Sequence, residues 1–393
     1  MKDRLNQPPT LSRRDWLQRM AVPAVAAVGL AACSDARRYV VDRRTPGGAT
    51  RHFVPVEASK ARLIRSYAGL RPYRAAGFRL EAERLDGKQL IHNYGHGGGG
   101  MTLSWGTANL AIDLLQGNAP ARSVAVVGAG VVGLSTAVLL LRQGFDVTIY
   151  AAKMPPHTTS NASAATFFPS HVIAEDQVTA AFEQQLEIAV RTSFHAYQRL
   201  AGERYGVRWI DAYYLSDGKP AEGKPEGKPP VENRVTDLVV SNPMRDLARG
   251  DTPFDAPKVR QARDLLIEPP IYLRALVEDV RSAGGRFVVR RLESVRDLAQ
   301  LPHATVFNCT GLGARTLVND TGLQPARGQI AVIQPDAGVD YTLYHGDFGY
   351  MMPRKDGILL GGTFDVGVDS TTPDPAIEAR LLAAHAKVFD AMK

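Results

Sequence analysis

The clearest pattern along the chain is an apolar run, a glycine turn and a second apolar run with a longer period. Val124–Val127 is continuously apolar, as a strand buried on both faces requires. After the turn, Leu134 to Leu141 continues as a buried helix, which Gly144-Phe145-Asp146 ends, and Val147–Tyr150 returns as a strand. This predicts a strand–helix–strand unit beginning near residue 124, far from the chain start. Elsewhere the pattern predicts a helix over Leu103–Leu115 and another opened by Leu266–Leu273. It also predicts a strand pair over Phe287–Val295 and a helical stretch over Ala376–Lys393.

The apolar stretch nearest the chain start has a different meaning. Met20–Ala32 holds thirteen residues, too few to cross ~30 Å of hydrocarbon at ~1.5 Å per residue. It follows Ser12-Arg13-Arg14-Asp15-Trp16-Leu17, the arginine pair of a twin-arginine export signal, and ends in Leu30-Ala31-Ala32-Cys33, a lipobox. Residues 1–32 are therefore expected to be a signal peptide, with Cys33 lipidated on the periplasmic side of the cell envelope and 33–50 a polar tether. That lipid is the expected route to a membrane.

Composition narrows the classes. With 393 residues, 45% hydrophobic and 22% charged, the chain can fill one large or two joined domains and is too polar for a polytopic membrane protein. The net charge of +7 falls to +4 beyond Ala32, because the first 32 residues carry five Lys/Arg and two Asp. No basic run interleaved with aromatics is present, so nucleic-acid binding is not expected. Two cysteines, one of them Cys33, exclude a disulfide framework. Asp217–Pro230 repeats Gly-Lys-Pro three times and reads as a solvent loop.

Candidate chemistry begins at the turn. Gly128, Gly130 and Gly133 have the G-x-G-x-x-G spacing: a tight turn, a close approach of pyrophosphate to backbone, and close helix–strand packing. Ala129, Val132 and Leu134 are expected in the same cofactor site. The acidic residue expected at the end of the next strand is replaced by Ala152 and Lys153. Lys153 is either a ribose or phosphate contact or a solvated side chain.

Further segments resemble the D-amino-acid oxidase family. Thr158–Pro169 is similar to the Thr/Ala-rich segment that wraps the FAD pyrophosphate and passes beneath the flavin. Val306–Ala314 resembles the family's second cofactor strand. Arg327-Gly-Gln329, Tyr350-Met-Met-Pro353 and Leu360-Gly-Gly-Thr363 follow in family order. Two signatures ordinarily found at the family's C-terminus here precede the glycine turn: Gly69-Leu-Arg71-Pro-Tyr-Arg74 and His92–Gly106. Joining the present ends and cutting between Gln116 and Ser123 restores the family order, so a circular permutation is expected. The Gly117–Arg122 loop would be its junction, and permutation needs termini that are close and exposed.

The resemblance implies an α/β fold: a Rossmann-type FAD-binding domain (71–175 and 270–325) and an α+β substrate domain (51–70, 176–269 and 326–393). It implies FAD contacts from Thr158, Thr159, Ser160, Ala164, Ala165, Thr166, Leu292, Thr310 and Gly311. Gly97, Gly98, Gly100, Met101 and Thr102 would join them, with a helix N-terminus favouring negative charge on reduced flavin. Arg71 would pair bidentately with the substrate α-carboxylate and Tyr350 would add a hydroxyl to it. The family's lid tyrosine falls on Gly346, leaving Tyr344 or His345 as substitutes, and Phe168 makes the pocket more apolar. No metal is implied, and His92 and His96 read as structural.

The reaction implied is hydride transfer from the Cα of a D-amino acid or related amine to flavin N5, giving an imino acid that hydrolyses to a 2-oxo acid, with O2 as electron acceptor. Three other readings stay open: a membrane-linked FAD amino-acid dehydrogenase, an NAD(P)-dependent dehydrogenase, and a flavin-binding lipoprotein without turnover.

Overall fold

The computed structural model describes residues 41–44, 50–115, 122–218, 229–240, 243–346 and 349–392. Arg13, Arg14, Cys33, nearly all of the Gly117–Arg122 junction and most of the Gly-Lys-Pro repeats lie outside these residues.

The described chain opens with β1 (Val41–Arg44), β2 (Thr50–Phe53), β3 (Leu63–Arg74), β4 (Arg79–Leu85), β5 (Lys88–Tyr94) and α1 (Gly100–Asp113). The strand–helix–strand unit is β6 (Ser123–Val127), α2 (Val131–Arg142) and β7 (Asp146–Ala151). After it come α3 (Ala180–Leu200), β8 (Val207–Ser216), α4 (Val231–Val239), β9 (Arg245–Leu247), β10 (Lys258–Ile267) and α5 (Pro269–Ser282). The remainder is β11 (Arg286–Val289), α6 (Val295–Ala299), β12 (Thr305–Asn308), α7 (Ala314–Leu317), β13 (Leu323–Ile333), β14 (Tyr341–His345), β15 (Gly349–Arg354), β16 (Gly357–Gly361), β17 (Asp365–Val366) and α8 (Pro375–Asp390).

Two large sheets organise these elements. The first has the order β11-β7-β6-β12-β5-β4, parallel throughout except where β4 pairs antiparallel to β5 at its edge. Its central strands are buried on both faces, which is why Val124–Val127 shows no alternation. Helices α1 and α2 pack against each other, and α3 packs on α1. Gly106 lets α1 and α3 touch, since a Cβ there would stand 2.0 Å from the Ala189 carbonyl oxygen. Trp105 donates its indole N–H to the Tyr272 hydroxyl at 2.6 Å, tying α1 to α5 in the same core.

The second sheet runs β17-β13-β16-β15-β14-β8-β10-β9, with β3 paired along the other side of β13. β3 puts Arg71 opposite Ala326 and Gly69 opposite Gly328. β3 and β13 run unbroken across the expected boundaries at residues 70/71 and 325/326. Motif positions set those boundaries, whereas backbone pairing keeps each strand whole.

Several expected elements differ in detail. α1 starts at Gly100 rather than Leu103, with Gly99 at its N-cap. The strand pair over Phe287–Val295 is one strand, β11, followed by a loop and α6. The reason is a reciprocal capping box in which Ser294 and Asp297 satisfy each other's backbone N–H groups and start a helix. Within the expected tether, Val41–Arg44 pairs antiparallel with Thr50–Phe53.

Candidate functional site

A cavity of about 1690 Å³ is walled by the C-terminal ends of the parallel strands and by one face of the second sheet. It exceeds the roughly 300–1,000 Å³ of ordinary small-molecule sites, leaving room for a dinucleotide with a second molecule beside it. Lys153 and Leu292, the glycine turn, and Arg71 and Tyr350 all line this one cavity.

At the turn the chain needs glycine for two separate reasons. Gly128 has φ 111°, and a Cβ on it would stand 2.4 Å from the Cys309 carbonyl oxygen of the neighbouring strand. Gly130 is different: its only close neighbour would be the Ser160 hydroxyl at 3.2 Å, so it faces the cavity. The Ser160 hydroxyl accepts from the Val131 N–H at 3.0 Å, at the start of α2. Gly128, Ala129, Gly130 and Val132 all line the cavity. Gly133 and Leu134 do not: a Cβ on Gly133 would stand 2.1 Å from the Gly128 carbonyl oxygen, and Leu134 is fully buried in the core.

The other expected cofactor residues converge on the same space. Thr158, Thr159, Ser160, Ala164, Ala165, Thr166, Thr310 and Gly311 line it, as do Gly97, Gly98, Gly100 and Met101. Thr102 is buried behind the wall and donates its hydroxyl to the Phe168 carbonyl at 3.0 Å, so it braces the Thr158–Pro169 segment instead. Gly97, at φ 53°, passes so near the chain just beyond that segment that a Cβ would be 1.8 Å from the His171 carbonyl oxygen.

Arg71 and Tyr350 are brought together. The Arg71 guanidinium lies across Gly328, donates to the Thr363 carbonyl at 3.2 Å and sits 5.7 Å from the Phe364 ring. Tyr350 packs flat on Gly361 and Gly362, where side chains would collide with its ring. Burial pushes its hydroxyl up to about 12, with Arg71 acting in the opposite direction. The phenol therefore stays protonated as a donor beside a cation. Phe168 lines the same wall.

His92, His96 and Cys309 are not reactive groups here. His96 stacks on Phe78 at 5.3 Å and burial pushes it down to about 3, leaving a neutral ring that meets Thr107 Oγ1 at 3.1 Å. His92 is lowered by burial and lies between Asn308 and Glu83. Burial raises the Cys309 thiol to about 12. Tyr344 and His345, the expected lid substitutes, are instead fixed in β14, with the Tyr344 hydroxyl already committed to Asp264 and Thr166.

Sequence reasoning missed three parts of the wall. Arg290 and Glu293 line the cavity beside Leu292, in the stretch read as a strand pair. Asp264 and Tyr214 come from β10 and β8, where nothing but alternation along the strands marks them. Asn93 carries the third signal: the residue lines the cavity, and its side-chain amide is buried and meets no hydrogen-bond partner among the described residues. A buried amide without partners is costly unless a ligand supplies them. Together with the open face at Gly130, this fits a bound dinucleotide. Among the described residues no acid, His and Cys cluster could hold a metal.

A parallel sheet with a glycine cradle at its strand ends, continuous with an arginine-bearing pocket, defines a dinucleotide-dependent oxidoreductase. A model of the FAD dependent oxidoreductase family matches residues 41–114 and 123–393, and the chain belongs to that family, with FAD as its cofactor. A D-amino-acid oxidase of Rubrobacter xylanophilus is 32% identical over 276 residues, covering 68% of this chain and 77% of its own. One from Streptomyces coelicolor is 30% identical, covering 66% and 75%. Among solved structures, iminodiacetate oxidase from Chelativorans sp. BNC1 shares the fold at a TM-score of 0.50 and 16% identity, over 68% of this chain and 79% of its own.

The contrast between two glycines gives a direct test of the cradle. Gly130→Val should leave the fold packed yet weaken FAD binding about tenfold or more, roughly 1.4 kcal/mol, because its side chain occupies the approach to the backbone. Flavin titration of the apoprotein measures this; unchanged affinity would mean that the pyrophosphate does not pass Gly130.

Proposed function

We propose that this flavoenzyme oxidises D-amino acids at the CH–NH2 group, with O2 as electron acceptor. The observation that carries the reading is the Arg71 guanidinium beside the protonated Tyr350 hydroxyl, in the same cavity as the glycine cradle. A guanidinium fork and a phenol together match the geometry of a carboxylate. The family relatives named D-amino-acid oxidase support the same substrate class.

In this reading Arg71 and Tyr350 hold the α-carboxylate and so aim the substrate Cα–H at the cofactor. Phe168 keeps that side of the pocket apolar. FAD, when bound, supplies the acceptor for the hydride that leaves Cα. The amine gives up a proton, and the imino acid takes up water to give a 2-oxo acid and ammonia. Residues 71–175 and 270–325, apart from the β3 segment, would serve the cofactor, and the second sheet the substrate.

The reading includes two features of chain organisation. The family match breaks between residues 114 and 123, which supports the circular permutation with its junction there. The arginine pair and the Leu-Ala-Ala-Cys33 sequence support export by the twin-arginine route and lipid anchoring at the cell envelope. Replacing Cys33 with Ala should release the exported protein from the membrane fraction. An unchanged membrane fraction, followed by radiolabelled palmitate incorporation and immunoblotting, would refute the anchor.

Arg71→Ala should raise KM steeply for amino acids and lower kcat/KM by roughly 3–5 kcal/mol, as expected when one partner of a buried charge pair is removed. The flavin spectrum should be retained. Arg71→Lys should recover only part of the loss, since an ammonium offers no fork. Unaltered amino-acid turnover by Arg71→Ala would overturn the assignment.

A further inference from the structure

Of the carboxylates that line the cavity, Asp237 and Glu293 are exposed, and Asp264 is the part-buried one that the scheme above does not use. β10 pairs antiparallel with β8, so Asp264 faces Ile210, Ala262 faces Ala212 and Arg260 faces Tyr214. β14 lies parallel on the other side of β8, with Tyr344 beside Tyr214. The two tyrosine rings stack at 4.6 Å with 7° between their planes. The small Ala212 and Ala262 leave room for both hydroxyls to reach along the sheet to Asp264. Tyr214 donates to the carboxylate at 3.0 Å, and Tyr344 donates to its Oδ2 at 3.0 Å. The Tyr344 hydroxyl has spent its proton, so the Thr166 hydroxyl 3.1 Å away is the donor to it.

This chain fixes Asp264 with two hydroxyls without neutralising it. Hydroxyl donors stabilise a carboxylate but carry no charge, and among the described residues no Lys or Arg forms an ion pair with it. Arg263 turns to Asp211 at 3.7 Å, and Arg260 is exposed opposite Tyr214. Desolvation raises the carboxyl to about 6 against the pull of the two tyrosines, so near neutral pH it is mostly ionised in a poorly solvated wall. With two oxygens and about four acceptor sites, it retains capacity toward the cavity. An acidic side chain there would meet like charge, and a neutral one would leave the carboxylate without a counter-ion. A cation satisfies it.

We propose that Asp264 determines side-chain specificity, and that the preferred substrates are D-amino acids bearing a cationic side chain, an ω-ammonium or a guanidinium, held at one end by Asp264 and at the other by Arg71. This rests on the Arg71 reading above for the carboxylate end.

Two matched pairs of probes test it on the FAD-loaded full chain. The first is 6-aminohexanoate against hexanoate, which carry the carboxylate with and without the distal ammonium and cannot be oxidised at an α-amine. Titration of the flavin spectrum should give binding at least about tenfold tighter for 6-aminohexanoate, a factor typical of one close charge pair. The second is D-lysine against D-norleucine, whose kcat/KM ratio should exceed about ten and fall at least about tenfold in Asp264→Asn. The amide keeps the size and can still accept from a tyrosine, and a ratio within one protein is insensitive to partial loss of folded enzyme. Equal binding of the two acids, or a ratio unchanged in Asp264→Asn, overturns the assignment, and the ligand pair decides it even where the variant does not fold. Oxidation of neutral D-amino acids without preference for D-lysine would sink this inference alone. Failure of every D-amino acid to react would sink the substrate reading on which it rests.

Discussion

The cavity depends on backbones that approach one another more closely than any Cβ allows. Gly128 and Gly133 bring the turn between β6 and α2 against itself and against Cys309, and Gly97 and Gly98 bring the entry to α1 against Ser170 and His171. Interiors close to crystal density have no slack for a methyl group at such contacts. The contacts at Gly128, Gly97 and Gly98 join segments distant in sequence, so the walls are set together by one packing condition. Side chains are absent from one edge of the cavity for the same reason, leaving N–H groups and a helix start free to meet a charged ligand.

On that glycine-built floor the second sheet adds chemistry strand by strand. Arg71 comes from β3, Tyr350 from β15, Tyr344 from β14, Tyr214 from β8 and Asp264 from β10. Because successive side chains alternate across a pleat, a single register places all five against one cavity. Burial then sorts their proton affinities. It pushes Tyr350 up to about 12 and Asp264 up to about 6, so the first is a neutral donor while the second is mostly anionic near neutral pH. Arg71 and Asp264 therefore put a cation and a carboxylate on the wall of the same cavity.

Most of the cofactor half was legible in the sequence, because its signals are local. A buried strand, a glycine spacing and a helix must follow one another within about 20 residues, and this order leaves few alternatives. The Ser160 segment and the His92–Gly106 stretch were readable by family resemblance. Thr102, Gly133 and Leu134 were placed in the right motif yet sit behind the wall, since a motif fixes the backbone path and not which side chains face outward. The start of α6 at Ser294 and Asp297 rests on a reciprocal side-chain to backbone geometry that the folded chain supplies. Asp264, Tyr214 and Asn93 were not legible. The significance of Asp264 and Tyr214 comes from strand register and from partners tens of residues away, Tyr344 being 80 positions from Asp264, and that of Asn93 from a buried amide left without a partner among the described residues.

If D-amino acids deliver a hydride to the bound flavin of this chain, as proposed, the most direct measurement is anaerobic. The FAD-loaded protein, mixed without oxygen with D- and L-enantiomers of the same amino acids, should lose its visible flavin absorbance with the D-forms only, and should regain it when air is admitted. Reduction by the L-forms instead, or by neither form, would contradict the account.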